Sequence, residues 1–501
     1  MTQPAYRLVR SAAAPAAAPV LDDAQRAVVE HPGGPLLVLA GPGTGKTTTL
    51  VEAVVARAAA GVPVEHMLML TFSRRAGGQL RDRVAARLHR TVREPIARTL
   101  HSYAFGVLRM ANAARGLPAP RLLSAAEQDI VFRELLESGD PARWPAALRP
   151  ALHTHAFAGQ LRDLLMRAVE RGLDGPALAE LGRRRGRADW VAAGDFLTEY
   201  HAIYAMADPG AYDTAELIST ALNVLRDDPV LLAAERARRR RIFVDEYQDT
   251  DPGQADLLQL LAHGADELVL VGDPDQSIYG FRGADASAIR SVDERYGVAG
   301  APVPTIALQR SRRSGTQLLA ATRRLAARLP GRGEQRTITA APGLPPGRAE
   351  AAVFRTASEE AAYVAGVLRA AHLDGMPWSE MAVLVRSTAT TLGVLRRAMI
   401  TAGVPVTVRG DDLPVAEQPA VALLLTLLEC VVDPQRLVED VAEQLLVGPL
   451  GGGDALYLRR LRRELRRTYP DEEGRVAPAV RDDVGARVLP RPLDGPVRRV
   501  A

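Results

Sequence analysis

Four short apolar runs along the chain each end abruptly in small or polar residues. They cover Pro35 to Ala40, Met67 to Thr71, Arg241 to Val244 and Glu267 to Val271. Runs of this length that are apolar throughout, rather than alternating, are typical of parallel strands buried on both faces. Because parallel strands end along one edge of their sheet, the polar residues that follow the runs should meet in a single crevice.

The pattern changes to helical spacing between residues 116 and 213. Ala125 to Glu137 and Ala156 to Arg171 show this spacing clearly, and both stretches contain few β-branched residues. The sequence therefore predicts a helical insert that interrupts the strand-rich region.

A second strand-like series comprises Thr305 to Leu308, Ala351 to Arg355 and Met381 to Arg386, and it predicts a second α/β domain. Beyond it the pattern is helical again and includes an Arg-rich helix over Ala455 to Arg467. A charge run of this kind is more often a solvated helix face than a phosphate-contacting surface.

These patterns together predict an α/β fold of parallel sheets with helical insert domains. The expected divisions are a flexible arm (1–19), a first α/β domain (20–115 and 214–300), a helical insert (116–213), part of a second α/β domain (301–417) and the start of a further helical domain (418–501).

Composition narrows the choice of partner and compartment only slightly. Lysine and arginine total 63 against 59 acidic residues, and the resulting net charge of +4 permits a nucleic-acid partner without indicating one. The single cysteine, Cys430, excludes an intramolecular disulfide and fits a reducing cytoplasm, where we expect it to be a core thiol. The longest apolar run, Ala420 to Val432, is shorter than the roughly 20 residues that span a bilayer, so no membrane span is predicted.

A glycine-rich string, AGPGTGKTT, lies between a strand-like and a helix-like stretch. Backbone N–H groups of such a loop, at the start of a helix, can cradle the phosphates of ATP. Lys46 would neutralise the β- and γ-oxygens, and Thr47 would ligate Mg²⁺. The candidate nucleotide-binding residues of this loop are Ala40, Gly41, Pro42, Gly43, Thr44, Gly45, Lys46, Thr47 and Thr48.

Lys46 is the only lysine in the chain. A compact ammonium fits inside a phosphate-binding loop, whereas a planar guanidinium does not. A chance glycine-rich turn would not explain why a chain that otherwise uses arginine keeps a lysine at this point. The loop is therefore interpreted as a P-loop, and the fold as that of a P-loop NTPase of the RecA-like type.

A pair of carboxylates, Asp245 and Glu246, follows the third apolar run. Asp245 would hold Mg²⁺ from the neighbouring strand end, and Glu246 would orient and deprotonate the attacking water. Two acids after a strand can also be a charge pair at a helix N-terminus. With a P-loop upstream, ATP hydrolysis is the favoured interpretation.

Two longer strings, DEYQD at 245–249 and GDPDQSIYGFRGA at 272–284, resemble the UvrD/Rep family of superfamily 1 DNA helicases. The resemblance implies an ATP-driven bacterial motor on single-stranded DNA, with 3′ to 5′ polarity, in repair or recombination. Shorter strings are similar to the family's Q motif (21–25), motif Ia (71–76), motif Ib (99–104) and motif IV (308–314).

The resemblance also assigns roles to single residues. Gln25 would read the adenine, Gln276 would sense the γ-phosphate, and Arg313 aligns with an arginine that contacts the γ-phosphate. The implied catalytic set is Lys46, Asp245, Glu246, Gln276 and Arg313. The implied DNA contacts are Thr71, Phe72, His101, Ser102, Tyr279, Phe281 and Arg282.

Several of these DNA contacts have a plainer alternative. Tyr279 and Phe281 are candidates for stacking on unpaired bases, but ordinary core packing would also explain them. His101 and Ser102 could contact phosphates, although a histidine at a strand end is about as often simply hydrogen-bonded in place.

The chain departs from the family in two places. Ser311 and Arg312 stand where the family usually has Asn-Tyr, so an adenine-stacking tyrosine is missing and Arg312 would stack instead. A motif V with a Lys-Gly pair and a motif VI ending in Thr-Arg-Ala are also absent from the sequence.

Two hypotheses follow from this comparison. The first is a DNA-dependent ATPase that unwinds or translocates. The second is a truncated or partner-dependent chain that binds nucleotide and DNA without unwinding alone, working with a helicase or nuclease subunit. The stretch Leu446 to Asp454, ahead of the Arg-rich helix, is similar to actinobacterial helicases related to AdnA and AdnB.

Overall fold

The structure, a computed structural model, describes residues 18–88, 96–207, 210–280, 283–298, 300–330, 333–407, 419–447 and 451–468. Nearly all of the arm expected over residues 1–19 lies outside the described residues, as do Phe281 and Arg282. The chain divides into two compact units, Met1–Ala349 and Glu350–Ala501.

Parallel strands form the centre of the first unit. Six of them make one sheet in the order β3-β2-β6-β7-β1-β8, and every neighbouring pair is parallel. The four strands predicted from apolar runs are confirmed as β1, β2, β6 and β7. The strands are β1 (Gly34–Ala40), β2 (Met67–Thr71), β3 (Ala97–Thr99), β4 (Arg121–Leu122), β5 (Ala211–Tyr212), β6 (Arg241–Val244), β7 (Glu267–Gly272), β8 (Thr305–Leu308), β9 (Arg310–Ser311) and β10 (Thr339–Ala340).

Helices cover both faces of this sheet and form the insert. The helices of the first unit are α1 (Asp23–Val29), α2 (Lys46–Ala59), α3 (Arg74–Leu88), α4 (Leu100–Ala114), α5 (Ala125–Ser138), α6 (His155–Glu170), α7 (Gly175–Arg185), α8 (Ala188–Ala207), α9 (Thr214–Asp227), α10 (Pro229–Arg238), α11 (Pro252–Ala262), α12 (Val292–Tyr296) and α13 (Thr316–Ala326).

Burial on both faces explains why the strands are apolar throughout. In β2, Leu68 and Leu70 belong to one hydrophobic cluster, whereas Met67 and Met69 belong to another. The first cluster includes residues of α4, α9 and α11, and the second includes residues of α2 and α3. Successive side chains of a strand point to opposite faces, so each face of the sheet needs its own apolar set.

The two helices predicted for the insert are confirmed as α5 and α6. Ser124 and Glu127 form a capping box at the start of α5, which satisfies two backbone N–H groups there. The next two helices, α7 and α8, approach closely through glycines, since a Cβ on Gly194 would lie 2.5 Å from the Gly175 carbonyl oxygen. The insert has a separate core of its own, built on residues such as Trp144.

The second unit is helical in its described parts, and Cys430 is 1% exposed there, which confirms the expected core thiol. None of the described helices in the chain is both long and apolar enough to cross a membrane. The helices of this unit are α14 (Ala357–Leu373), α15 (Thr388–Thr401), α16 (Pro419–Val432), α17 (Glu439–Val447) and α18 (Ala455–Thr468). The last of these confirms the predicted Arg-rich helix.

Two predicted strands of the second α/β series are wrong. Residues 351–355 and 381–386 form no strand, and Val353 and Leu384 are 97% and 93% exposed. A strand needs a neighbour to accept and donate its backbone hydrogen bonds, and the described residues of this unit supply no strand. The first run of the series, Thr305 to Leu308, is β8 and pairs with β1 of the six-stranded sheet. The domain boundaries given above stay a prediction.

Candidate nucleotide-binding site

The glycine-rich loop joins β1 to α2 at the carboxyl edge of the sheet. Gly43 and Gly45 have φ angles of 77° and 90°, in the left-handed region that favours glycine, and Gly45 caps α2. Thr44 Oγ1 donates to the Gly41 carbonyl oxygen at 2.8 Å and closes the turn. The first N–H groups of α2 have no acceptor within the helix. The loop therefore forms an anion-binding cradle at a helix N-terminus.

Lys46 is the first residue of α2, and its side chain is 11% exposed. Its Nζ lies 3.1 Å from Glu246 Oε2 but makes no well-formed hydrogen bond. A buried ammonium without hydrogen bonds next to a glycine cradle fits the phosphates of a nucleotide, which would supply the missing acceptors.

Asp245 follows β6 directly, and its N–H donates to the Leu70 carbonyl oxygen at 2.8 Å, so the strand ladder holds it in place. Its Oδ2 accepts a hydrogen bond from Thr47 Oγ1 at 3.3 Å. Burial, and then the charge of Glu246, raises the pKa of Asp245 to about 6. The hydroxyl and the carboxylate are the hard oxygen ligands that Mg²⁺ prefers.

The described residues contain no cluster of three or more potential metal-ligating side chains. Mg²⁺ is usually held by one or two carboxylates together with substrate phosphates and water, rather than by a full protein cage. The pair formed by Thr47 and Asp245 therefore fits a magnesium ion that is bound together with a nucleotide.

Glu246 has a φ of 56°, the one positive φ among the non-glycine residues that the structure describes. Its Oε2 accepts from Gln248 Nε2 at 2.8 Å, and Gln248 Oε1 in turn accepts from the Asp273 N–H at 3.0 Å. Asp273 Oδ2 accepts from Gln276 Nε2 at 2.6 Å. A continuous chain of hydrogen bonds thus connects Glu246 with Gln276. Gln248 lay inside a motif string, but its linking role had no sequence signal.

Gln25 is fully buried beside the loop. Both the oxygen and the nitrogen of its side-chain amide form hydrogen bonds within the protein. Oε1 accepts from the Asp22 N–H and Nε2 donates to the Thr44 carbonyl oxygen, each at 3.2 Å. Arg312 Nη2 lies 3.1 Å from Asp22 Oδ2 and also donates to the Val20 carbonyl oxygen at 3.3 Å. Arg312 is therefore held beside the loop by an ion pair. The roles of both residues towards adenine stay predictions.

Arg313 is exposed and lies in the same compact unit as the P-loop. The neighbouring Arg312 N–H donates to the Gly43 carbonyl oxygen at 2.8 Å, and a Cβ on Gly43 would lie 2.7 Å from Arg313 Cβ. The structure therefore brings the backbone of Arg313 against the phosphate-binding loop.

Two aromatic candidates for DNA contact lie together. Phe72 follows β2, Tyr279 lies in the loop after Gln276, and their rings stack with centroids 4.5 Å apart and an interplanar angle of 28°. Both rings are half-buried. Phe281 and Arg282, predicted to act beside them, lie outside the described residues.

The remaining DNA candidates also lie at the carboxyl edge of the sheet. Thr71 ends β2 and is buried. His101 and Ser102 lie in the first turn of α4, where Ser102 is exposed and its N–H donates to Thr99 Oγ1. Burial, and then the charge of Arg74, lowers the pKa of His101, which favours the neutral imidazole.

Glu170 ends α6 close to this edge of the sheet. Its Oε1 lies 2.8 Å from Arg167 Nη2, and a Cβ on Gly283 would meet its Oε2 at 2.0 Å. Burial, and then the charge of Asp251, raises the pKa of Glu170 to about 7. The carboxyl group of Glu170 therefore keeps its proton in the folded state at a pH where the unfolded chain has lost it.

Glu170→Gln tests this shift through the pH dependence of stability. Because the folded pKa is raised, the stabilisation by Glu170 is full below its unfolded pKa and is lost as pH rises through about 7. Urea unfolding at several values between about pH 5 and about pH 8 should show wild type losing stability relative to Glu170→Gln. Glu127→Gln is the matched control, because the pKa of Glu127 is lowered to about 2 and its contribution should be constant over this range. A parallel response of wild type and Glu170→Gln would contradict the shift.

A parallel sheet with a P-loop between β1 and α2, and an acidic pair after β6, defines a P-loop NTPase. The UvrD/REP helicase N-terminal domain family matches residues 21–297, which is more than half of the chain. The chain belongs to this family, and the resemblance found in the sequence is confirmed.

Named relatives of this chain are bacterial ATP-dependent DNA helicases. UvrD2 of Mycobacterium tuberculosis is 31% identical over 408 residues, which cover 78% of this chain and 55% of that protein. UvrD1 of the same organism is 31% identical over 407 residues, with 78% and 50% covered. PcrA of Staphylococcus epidermidis is 28% identical over 397 residues, with 78% and 51% covered. The chain thus spans about half the length of the curated relatives it matches.

Proposed function

We propose that this chain is an ATP-hydrolysing DNA helicase or translocase that acts on single-stranded DNA and uses ATP and Mg²⁺. The observation that carries the proposal is the meeting of Lys46, Thr47, Asp245 and Glu246 at one edge of the sheet, with Lys46 Nζ 3.1 Å from Glu246 Oε2 and Thr47 Oγ1 3.3 Å from Asp245 Oδ2. A cation for phosphate, ligands for a metal and a carboxylate for a proton are the groups that phosphoryl transfer needs.

Each side chain of the site has a separate role in the proposed reaction. The P-loop and Lys46 bind the phosphates, and Thr47 with Asp245 holds Mg²⁺, which supplies charge neutralisation when it is bound. A bound phosphate competes with Glu246 for Lys46, so the carboxylate is released from its ion pair. Glu246, still held by Gln248, then orients the attacking water and accepts its proton.

Single-stranded DNA is the proposed track for this motor. The stacked rings of Phe72 and Tyr279 lie close in sequence to the nucleotide site: Phe72 is two residues after Leu70, which accepts from the Asp245 N–H, and Tyr279 is three residues after Gln276. Stacking on aromatic rings suits unpaired strands, because every base has a π-face. The 3′ to 5′ polarity, the role in repair or recombination and the location in the bacterial cytoplasm, at the nucleoid, rest on the family resemblance alone.

A second candidate is a subunit that binds nucleotide and DNA but unwinds only with a helicase or nuclease partner. The similarity of the stretch Leu446 to Asp454 to actinobacterial helicases related to AdnA and AdnB is the observation that favours it. Asp245 and Glu246 support retained hydrolysis in either case.

ATP turnover measured with and without single-stranded DNA tests the proposal. The variant Lys46→Ala serves as the negative control, or blank. We expect single-stranded DNA to increase the rate of ATP turnover, because hydrolysis by a motor is coupled to its movement along DNA. Turnover no higher than the blank would refute the ATPase, and turnover indifferent to DNA would refute the motor. A strand-displacement assay then separates the candidates, since the partner-dependent subunit would hydrolyse ATP without displacing a strand.

A further inference from the structure

An ion pair joins Asp275, inside the motif string at 272–284, to Arg336, which lies outside the motif strings. Arg336 Nε and Nη2 donate to the two carboxylate oxygens of Asp275, each at 2.6 Å. The side chains are 16% and 18% exposed. Arg336 Nη2 also donates to the Pro330 carbonyl oxygen at 3.0 Å, so the guanidinium is fixed on a second side. Two parallel, partly buried hydrogen bonds fix orientation as well as distance.

On one side, this pair holds the loop that carries Gln276. Asp273 Oδ1 accepts from the Asp275 N–H at 3.0 Å, and Asp273 Oδ2 accepts from Gln276 Nε2 at 2.6 Å. The backbone of Asp275 and the amide of Gln276 thus share one carboxylate. Any movement of Asp275 therefore changes the position of the Gln276 amide.

On the other side, the pair is anchored to the strands that precede Arg313. Gln309 Nε2 donates to the Glu334 carbonyl oxygen at 3.1 Å and to Thr337 Oγ1 at 2.8 Å, which fixes the turn containing Arg336. β10 pairs with β9, and β9 ends two residues before Arg313. Arg336 is thereby tied to the backbone that positions Arg313 against the P-loop.

We propose that Arg336 is a positioning residue that fixes the Gln276 loop relative to Arg313, so that both side chains meet the γ-phosphate together. This inference rests on the proposed function, because it assigns Gln276 and Arg313 to the same phosphate. Arg336 donates hydrogen bonds to Asp275 and to the carbonyl oxygens of Leu329 and Pro330. It lies beyond the part of the chain that the family match covers.

The fork of the guanidinium is the reason that arginine is required here. A lysine would keep the charge but could not bind both carboxylate oxygens in one plane. The proposal therefore predicts a graded series, in which Arg336→Lys retains part of the positioning and Arg336→Ala retains none. Asp275→Asn removes the charge of the partner with little change in its shape.

The test compares these variants with Arg240→Ala. Arg240 forms the same bidentate pair with Asp266, but at the amino ends of β6 and β7, away from the loop. We measure kcat and KM for ATP in the presence of single-stranded DNA, the affinities for ADP and for the non-hydrolysable analogue adenylyl imidodiphosphate, and the melting temperature. The ratio of the two affinities reports recognition of the γ-phosphate whether or not hydrolysis follows.

Arg336→Ala and Asp275→Asn should each lower kcat, and the analogue-to-ADP affinity ratio, by roughly tenfold or more, because small misplacements of catalytic groups are costly. ADP affinity should match that of Arg240→Ala, whereas the melting temperature should fall somewhat further, because the Arg336 pair is less exposed than the Arg240 pair. Arg336→Lys should fall between wild type and Arg336→Ala. A structural role alone would lower the melting temperature and leave the affinity ratio unchanged.

The outcomes separate this inference from the proposed function. If wild type binds the analogue but has no turnover, the proposed ATPase fails and the affinity ratio still decides the role of Arg336. If wild type turns over ATP and both ratio and kcat in Arg336→Ala equal those in Arg240→Ala, the inference is overturned and the ATPase stands. A wild-type chain that binds neither nucleotide would overturn both.

Discussion

Replacing Lys46 with alanine is expected to lower ATP turnover by roughly 10²- to 10³-fold, the usual loss when one preorganised charge or donor is removed from a reaction centre. Lys46 Nζ is buried and lies 3.1 Å from Glu246 Oε2, so the substitution removes a cation that lies beside both the glycine-rich loop and the acidic pair. Steady-state hydrolysis with saturating single-stranded DNA is the measurement.

Lys46→Arg is the informative control for this prediction. It keeps the positive charge and uses the residue that the chain has at every other basic position. A guanidinium is planar and wider than an ammonium, and a Cβ added to Gly45 would already meet Gln25 Nε2 at 2.7 Å, so the space around the loop is limited. We expect Lys46→Arg to fail almost as completely as Lys46→Ala. Normal turnover in Lys46→Arg would show that charge alone is sufficient.

Glu267→Ala is expected to lower the free energy of unfolding by about 3–5 kcal/mol, the cost of breaking a buried ion pair from one side. Glu267 is 0% exposed, and its carboxylate accepts from Arg57 Nε at 2.9 Å, from Arg57 Nη2 at 2.6 Å and from Arg241 Nη1 at 2.8 Å. Alanine would leave two largely buried guanidinium groups without their shared acceptor. Equilibrium urea unfolding of the purified chain measures the loss.

Asp266→Ala is the matched control for Glu267. Asp266 is the preceding residue and also binds arginine in a bidentate pair, but its partner Arg240 is substantially exposed. Solvent-exposed pairs contribute little to stability. Equal destabilisation by the two substitutions would show that burial of the Glu267 network is not what stabilises the sheet.

The central sheet and the P-loop were predictable from the sequence because both depend on local pattern. β2 has buried residues on both faces, so its apolar run could not be mistaken for a surface strand. The runs at 351–355 and 381–386 look similar in composition, but a strand also requires a partner, and a partner is a property of the surrounding chain. The ion pair of Glu267 could not be predicted from local sequence either, because its partner Arg57 is 210 residues away along the chain.

The site was predicted less completely than the sheet. Lys46, Asp245 and Glu246 could be named because each lies in a sequence motif that indicates its chemical role. The structure brings the three residues together. Sequence could not show that the amide of Gln25 is already used by Asp22 and Thr44. It also gave no signal for Arg336, which meets Asp275 across 61 residues of chain.

The backbone of Glu246 restricts how this position can vary during evolution. Its φ of 56° lies in a region that glycine adopts freely and asparagine tolerates better than most residues. Neither of those residues can accept a proton from water as a carboxylate does. With Glu246 in its proposed role, the substitutions that would relieve the backbone are the ones that would remove the proton acceptor, so backbone preference and the proposed chemistry favour different residues at this position.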